Sequence, residues 1–472
     1  MRYKRLWLAL GFVVVASFAV LGFYGWRLYQ VAPQVPQRVI TTNGKVLFTG
    51  QEIKNGQNVW QSMGGQEVGS IWGHGAYLAP DWSADWVHRE AVWLLNKWSQ
   101  EKYHQNYSSL DAVRQAEMKA ILHQELRANT YNPTTGDLVI SPDRAAAIKA
   151  ISAYYSDLFG TDPAFKKLRD DYSIPRNAIP SAEHRQEMNG FFFWTAWACV
   201  TNRPGETNLT YTSNWPHEPL VGNILTGDMV LWSVLSFVFL LAGIGALTWH
   251  YVSVGRDDEE PEQYPEDDPL LAAQPTPSMK ATLKYFWLVG AMFVVQIIMG
   301  VFTAHYTVEG NSFFGLPLAQ WLPYAVTRTW HLQLGIFWIA TSWLATGLFM
   351  APAVSGREPK YQKLGVNVLF VCLIVIVAGS MCGEWLTIQQ KLGFKYNFWF
   401  GSQGLEYVDL GRFWQIFLLV GLCLWLGLLT RALMPALRKG EENKHLLGLF
   451  LLSSAAITLF WGAGLMWGQQ SN

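Results

Sequence analysis

Cysteine is scarce, and its placement excludes two chemistries. The 472 residues hold four cysteines, Cys199, Cys372, Cys382 and Cys423, and none forms a short-spaced pair. Three fall in or beside apolar runs, where cysteine behaves as a small hydrophobe. The polar part of the chain therefore has no disulfide framework, and without a Cys-x-x-Cys-His it has no attachment point for a covalent haem. Net charge is also missing, with 35 basic residues against 35 acidic, which argues against a nucleic-acid partner. Paired intramembrane charges are few and there is no sign of an inverted repeat with broken helices, so a transporter is a poor reading. Histidine is sparse in the apolar segments. His250 and His305 close two of the runs and only His331 sits inside one, so no second histidine is placed to complete a bis-histidine haem.

What is present is long hydrophobic runs. Half of the residues are hydrophobic, and stretches of about 20 residues, enough to cross a hydrocarbon core, recur at 6–24, 229–250, 285–305, 330–350, 366–388, 413–433 and 446–467. Between the first and second lies a polar stretch large enough for an independent domain. The expected division is an N-terminal transmembrane anchor over 1–30, an extracytoplasmic soluble domain over 31–221 and a six-helix membrane domain over 222–472. The first run follows Met1-Arg-Tyr-Lys-Arg5. No small-residue cleavage site comes after it, so it reads as a retained anchor.

The basic start places the N-terminus in the cytoplasm. Alternate loops should then be basic. Arg357, Lys360 and Lys363 after the fourth run agree, as do Arg431, Arg438, Lys439 and Lys444 after the sixth. The loop after the second run is acidic (Asp257-Asp-Glu-Glu260, Glu266-Asp-Asp268) and proline-rich, and reads as a solvated linker. Tryptophan, at 24 residues, clusters near span ends as an interfacial belt.

Within 31–221 two helices are legible. Ser109 is placed to cap one over 110–128. Ser141-Pro142-Asp143 opens another over 144–159, with Ala147, Ile148, Ile151 and Tyr155 on one face. The apolar run 191–200 is too short to span and reads as a buried helix. The Gly-, Trp- and Gln-rich stretch 50–86 has no period and reads as loops with short helices.

Several residues are candidates for chemistry. An ionisable group in lipid is costly and suggests function, and neutral imidazole is a common iron ligand. His331 follows Arg328 by three residues, on the same helical face. Imidazole on a haem iron, with guanidinium on a propionate, is one reading. A histidine bonded to a neighbouring helix, with an arginine snorkelling to headgroups, is the other. His305, Glu309 and Phe313 offer an acceptor, an acid and an apolar wall to a hydroxylated ring such as a quinol, or they are simply a polar helix end. Glu406 offers a hard oxygen for calcium, or a carboxylate at a helix N-terminus. Gly73-His-Gly75-Ala-Tyr77 offers backbone carbonyls, or is an ordinary turn. Glu384 near the fifth run's end has no assigned role.

Taken together, five segments resemble the quinol-dependent nitric oxide reductases of the haem-copper oxidase superfamily. They are the stretch 50–86 with Gly-His-Gly-Ala-Tyr77, Asn214-Trp-Pro-His-Glu-Pro-Leu-Val-Gly222, His305-Tyr-Thr-Val-Glu309, Thr327-Arg-Thr-Trp-His331, and 401–414. The resemblance implies an all-α polytopic membrane protein: about seven transmembrane helices plus a mainly helical, cytochrome-c-like extracytoplasmic domain lacking haem c. It implies His331 as an axial ligand of haem b beside Arg328, and a quinol pocket of His305, Glu309 and Phe313. It also implies a calcium held by Glu406 with backbone oxygens of Gly75 and Tyr77. The location implied is a bacterial inner membrane, with the soluble domain periplasmic. The family passes electrons from quinol through haem b to a haem b3/non-haem iron centre, where two nitric oxide molecules become N2O and water.

That centre is built from later helices rich in histidine and glutamate, and its ligands are missing from these residues. The expectation is thus an N-terminal half, with no catalytic residue of its own, inactive without a C-terminal half or complementary polypeptide. The alternative is a non-catalytic membrane module that binds a quinone or a partner without haem.

Overall fold

The computed structural model describes residues 2–254, 274–402, 409–439 and 441–467. The acidic linker and Glu406 lie outside them. Among the described residues, seven helices are long and apolar enough to span a membrane. They are α1 (Arg2–Val31), α9 (Gly227–Val254), α10 (Pro277–Glu309), α11 (Tyr324–Ser355), α12 (Gln362–Ile388), α14 (Arg412–Lys439) and α15 (Glu441–Trp467). Each contains one of the expected runs. At 33 residues, α10 is roughly 50 Å long, well beyond a hydrocarbon core of about 30 Å. The overhang carries part of the site described below.

The polar region folds around α2 (Gly50–Ser62), α4 (Trp82–Tyr103), α6 (Pro142–Leu158) and α8 (Ala182–Val200). α2 opens on a capping box: Thr49 Oγ1 accepts from Glu52 N at 3.2 Å, and Thr49 N donates back to Glu52 Oε2 at 2.6 Å. It lies so close to α8 that a Cβ on Gly56 would meet the Glu187 carbonyl. Trp82, Trp86, Tyr155, Phe192 and Phe193 are fully buried between these helices. Trp82 stacks on Phe192 with centroids 5.8 Å apart.

Two expectations need correction. The helix expected over 110–128 is α5 (Ala112–Arg127), capped by Asp111 rather than Ser109; the Asp111 carboxylate accepts from Val113 N and Arg114 N at 3.1 and 3.0 Å. A carboxylate both caps and complements the dipole, while Ser109 closes a preceding 3-10 turn. The helix expected over 191–200 begins at Ala182, capped by Ser181. Its first turns are polar and escape an apolar search. The domain is mainly helical as expected, and it also holds a small four-stranded sheet of order β2-β1-β6-β5, which joins β1 (Arg38–Thr41) to β2 (Val46–Thr49) and to β6 (Asp137–Ile140), with β5 (Tyr131–Asn132) at the edge. These strands are too short to show alternation.

Before α9 the chain is anchored by Arg127, whose buried guanidinium donates to Val221 O, Gly222 O and Asn223 Oδ1. The polar region then sits on the ends of three spans. Ser173 Oγ donates to Tyr306 O at 2.9 Å, Asn311 Nδ2 to Ile174 O at 2.8 Å and Gln390 Nε2 to Ser62 Oγ at 3.2 Å. Gly64, at φ +68°, leaves room for Ala325 and Ile388. At the opposite end Trp7 Nε1 donates to His445 Nδ1, tying α1 to α15.

Candidate functional site

His331 lies about two turns into α11. Its Nδ1 is 2.8 Å from the backbone oxygen of Gln296 on α10. A carbonyl only accepts, so Nδ1 carries a proton, and in the neutral ring Nε2 would keep its lone pair. Nothing among the described residues bonds Nε2. The ring lies over Gly300, where a Cβ would come within 2.7 Å of Cε1 and 2.9 Å of Nδ1. A backbone carbonyl on one nitrogen, orienting the ring and leaving the other bare, is how a ligating imidazole is usually held. The interhelical bond named as the rival role is therefore present, but it uses the nitrogen that ligation does not need.

Arg328, one turn nearer the polar region, forms an ion pair through Nη1 with Glu67 Oε2. Glu67 belongs to the short helix α3 (Gly65–Val68) and is 2% exposed. Its neighbour Gln66 donates Nε2 to Asp409 Oδ1 at 2.8 Å, and Ser402 Oγ donates to the other Asp409 oxygen. Burial raises the Glu67 pKa above its ordinary value, against the lowering pull of Arg328. Burial, then the Glu67 charge, pushes Asp409 up to about 7. Below this junction Glu384 is fully buried on α12. One of its oxygens accepts from Gln333 Nε2, and the other has no hydrogen-bond partner among the described residues.

Glu67 and Asp409 were not identified from sequence. Both sit in segments without periodicity, and their partners are 261 and 343 positions away in sequence. The preference of carboxylates for the first turn of a helix was the only local signal, and it does not point to a partner.

His305, Glu309 and Phe313 come together at the overhanging end of α10. His305 Nε2 is paired with Glu309 Oε2. The carboxylate also accepts from Phe314 N at 2.6 Å and Gly315 N at 3.0 Å. Phe313 meets the imidazole edge-on with centroids 4.7 Å apart, and Phe314 lies 4.4 Å away on another side. Phe314 is 76% exposed. The result is an acid–base pair walled by aromatic rings and open at its outer edge. Such a pair can share or accept a proton from a ring hydroxyl.

Of the three expected calcium ligands, Glu406 lies outside the described residues. Gly75, at φ +129°, packs so closely against Gln66 and Gly69 that a side chain would collide with their carbonyls. Tyr77 is exposed, and its hydroxyl donates to Gly73 O at 2.8 Å. Gln66 links this turn to Asp409: its backbone oxygen accepts from Ala76 N at 2.7 Å, and its Nε2 donates to Asp409 Oδ1. Among the described residues no group of three or more His, Cys, Asp or Glu is arranged to hold a metal ion.

Two family models match the chain. Residues 36–217 match the cytochrome c-like domain of nitric oxide reductase. Residues 280–472 match cytochrome C and quinol oxidase polypeptide I. No curated protein matches the chain.

Proposed function

Since it joins the cytochrome c-like domain of a nitric oxide reductase to a haem-copper-oxidase-type membrane segment, the chain is a membrane oxidoreductase of the nitric oxide reductase and haem-copper oxidase kind, and we propose that its part in that chemistry is to take in electrons from a quinol. The cytochrome-c-like domain, over 31–221, would lie outside a bacterial inner membrane, with 222–472 as the membrane domain and 1–30 as its anchor.

His331 Nε2 would ligate the iron of haem b, and Arg328 would share its donors between Glu67 and a propionate. A haem held there supplies one-electron redox chemistry. His305 and Glu309 would take the protons of a quinol whose ring rests on Phe313. Gly75, Tyr77 and Glu406 would hold calcium where the two domains meet. Ligands for haem b3 and non-haem iron, the pair that turns nitric oxide into N2O, would come from outside these residues, and the chain alone would be inactive.

The observation that carries this reading is the oriented His331 ring with Nε2 bare. Its test is His331→Ala, in the full chain completed by whatever supplies the remaining ligands. The reduced-minus-oxidised low-spin haem spectrum should vanish, and an unchanged spectrum would overturn the assignment. For the quinol pocket, Glu309→Gln should slow quinol-driven haem reduction by about 10²-fold, the effect of losing a general base. Reduction by dithionite should be unaltered. Equal slowing of both would place Glu309 in the fold rather than in proton transfer.

The bond from His331 to Gln296 also favours a second reading, a helix-knitting histidine in a haem-free quinone- or partner-binding module. Haem stoichiometry in the purified chain separates the two.

A further inference from the structure

At the end of the bundle farthest from the polar region, a groove of about 940 Å³ opens between the α11–α12 loop and the last turns of α14. Its walls are basic: Arg357 and Lys360 come from the loop, Arg431 and Arg438 from α14. No carboxylate lines it among the described residues. Glu358, between the two loop cations, is turned away and accepts from Ser278 N at 3.0 Å. Arg431 gives one donor to Gln362 Oε1 at 2.9 Å. Among the described residues the charged ends of Arg357, Lys360 and Arg438 have no hydrogen-bonding or ion-pair partner. By contrast, Arg38, Arg89, Lys97, Lys102 and Arg114 in the polar region all rest on carboxylates.

Below the cations the floor is apolar. Leu426 and Met434 line it, and a Cβ on Gly427 would meet nothing within 4 Å. These residues belong to the spanning part of α14, so the groove faces the bilayer rather than open water. An occupant must neutralise several fixed cations at its head and offer hydrocarbon below.

We propose that this groove binds the phosphodiester headgroup of an anionic phospholipid from that leaflet. Arg357, Lys360, Arg431 and Arg438 surround the phosphate, and the acyl chains run down α14 past Met434 and Leu426. Basic clusters at span ends commonly hold lipid phosphates, and each charge removed weakens binding by roughly fivefold.

The test uses the full chain in neutral detergent, with dioctanoyl phosphatidylglycerol as probe and native mass spectrometry as readout. Phosphatidylglycerol adducts should exceed those of dioctanoyl phosphatidylcholine by about tenfold or more. Each of Arg357→Gln, Lys360→Gln and Arg438→Gln should cut that preference about fivefold, and the triple variant should remove it. Unchanged elution and helical circular dichroism check the fold, and the single variants keep the test decisive if the triple variant misfolds. Equal binding of the two lipids overturns the proposal, as does a preference that survives the substitutions. Displacement by inorganic phosphate at the lipid's concentration would assign the groove to free phosphate instead. A further arm changes the carboxylates of residues 257–268 to amides. If phosphatidylglycerol bound only then, the chain's own acidic segment would be the occupant and the proposal would fall.

Discussion

At the scale of single residues, the imidazole of His331 depends on a missing methyl group. Gly300 sits inside α10, where alanine would ordinarily favour the helix by about 1 kcal/mol. Here the added Cβ would fall 2.7 Å from His331 Cε1 and 2.9 Å from Nδ1. The ring cannot retreat without giving up its bond to Gln296 O. Gly300→Ala should therefore leave helical content intact while lowering haem occupancy or shifting the low-spin absorption band. An unaltered band would mean that the ring has room the packing denies. His331 was legible in the sequence because an ionisable side chain stands out in an apolar run. The acceptor that orients it was not, since any backbone carbonyl on a neighbouring helix would serve. Glu67 illustrates the converse. Its role comes from Arg328, reached only after the chain has folded across 261 positions.

At the scale of elements, composition determined the long helices well, because a run that must satisfy its own backbone in lipid can only be a helix. The short elements were harder. β1, β2 and β6 have four residues each, and β1 finds β6 at a distance in sequence that local patterning does not encode. α8 was only half legible because its first turn is polar and largely exposed, although Glu187, one turn on, is buried against α2. That contact gives a prediction. A Cβ on Gly56 would lie 2.6 Å from the Glu187 carbonyl carbon and closer still to its oxygen. Backbone on both sides leaves nothing flexible to yield. Gly56→Ala should cost about 1–3 kcal/mol, as overpacked cores do, and lower the denaturant midpoint followed by tryptophan fluorescence in the full chain. A midpoint unchanged within error would show that α2 and α8 can slide apart.

At the scale of the whole molecule, the functional candidates gather where the polar region meets the spans. The loop topology read from charge put the overhanging end of α10, the start of α11 and the segment before α14 on one side. The docking contacts lie at those same ends, through Tyr306, Arg328 and Asp409. Two buried carboxylates, Glu67 and Asp409, lie in that interface beside its neutral hydrogen bonds, and both have raised pKa values, so docking should respond to pH. Asp409 ionises at about 7 in the fold, against an ordinary value of 3.8, because it is buried and faces Glu67. As pH rises from 3.8 toward 7 the unfolded chain gives up a proton that the folded chain keeps. Stability from this group is therefore full below 3.8 and is lost as pH climbs through about 7. Asp409→Asn removes the titration and keeps one acceptor for Gln66. The unmodified chain should lose thermal stability relative to the variant between pH 4 and 7. Proteolysis near residues 64–71, which are buried beneath the docked spans, should increase over the same interval. If the two proteins keep a constant difference across that interval, Asp409 does not govern how the polar region is held on the membrane bundle.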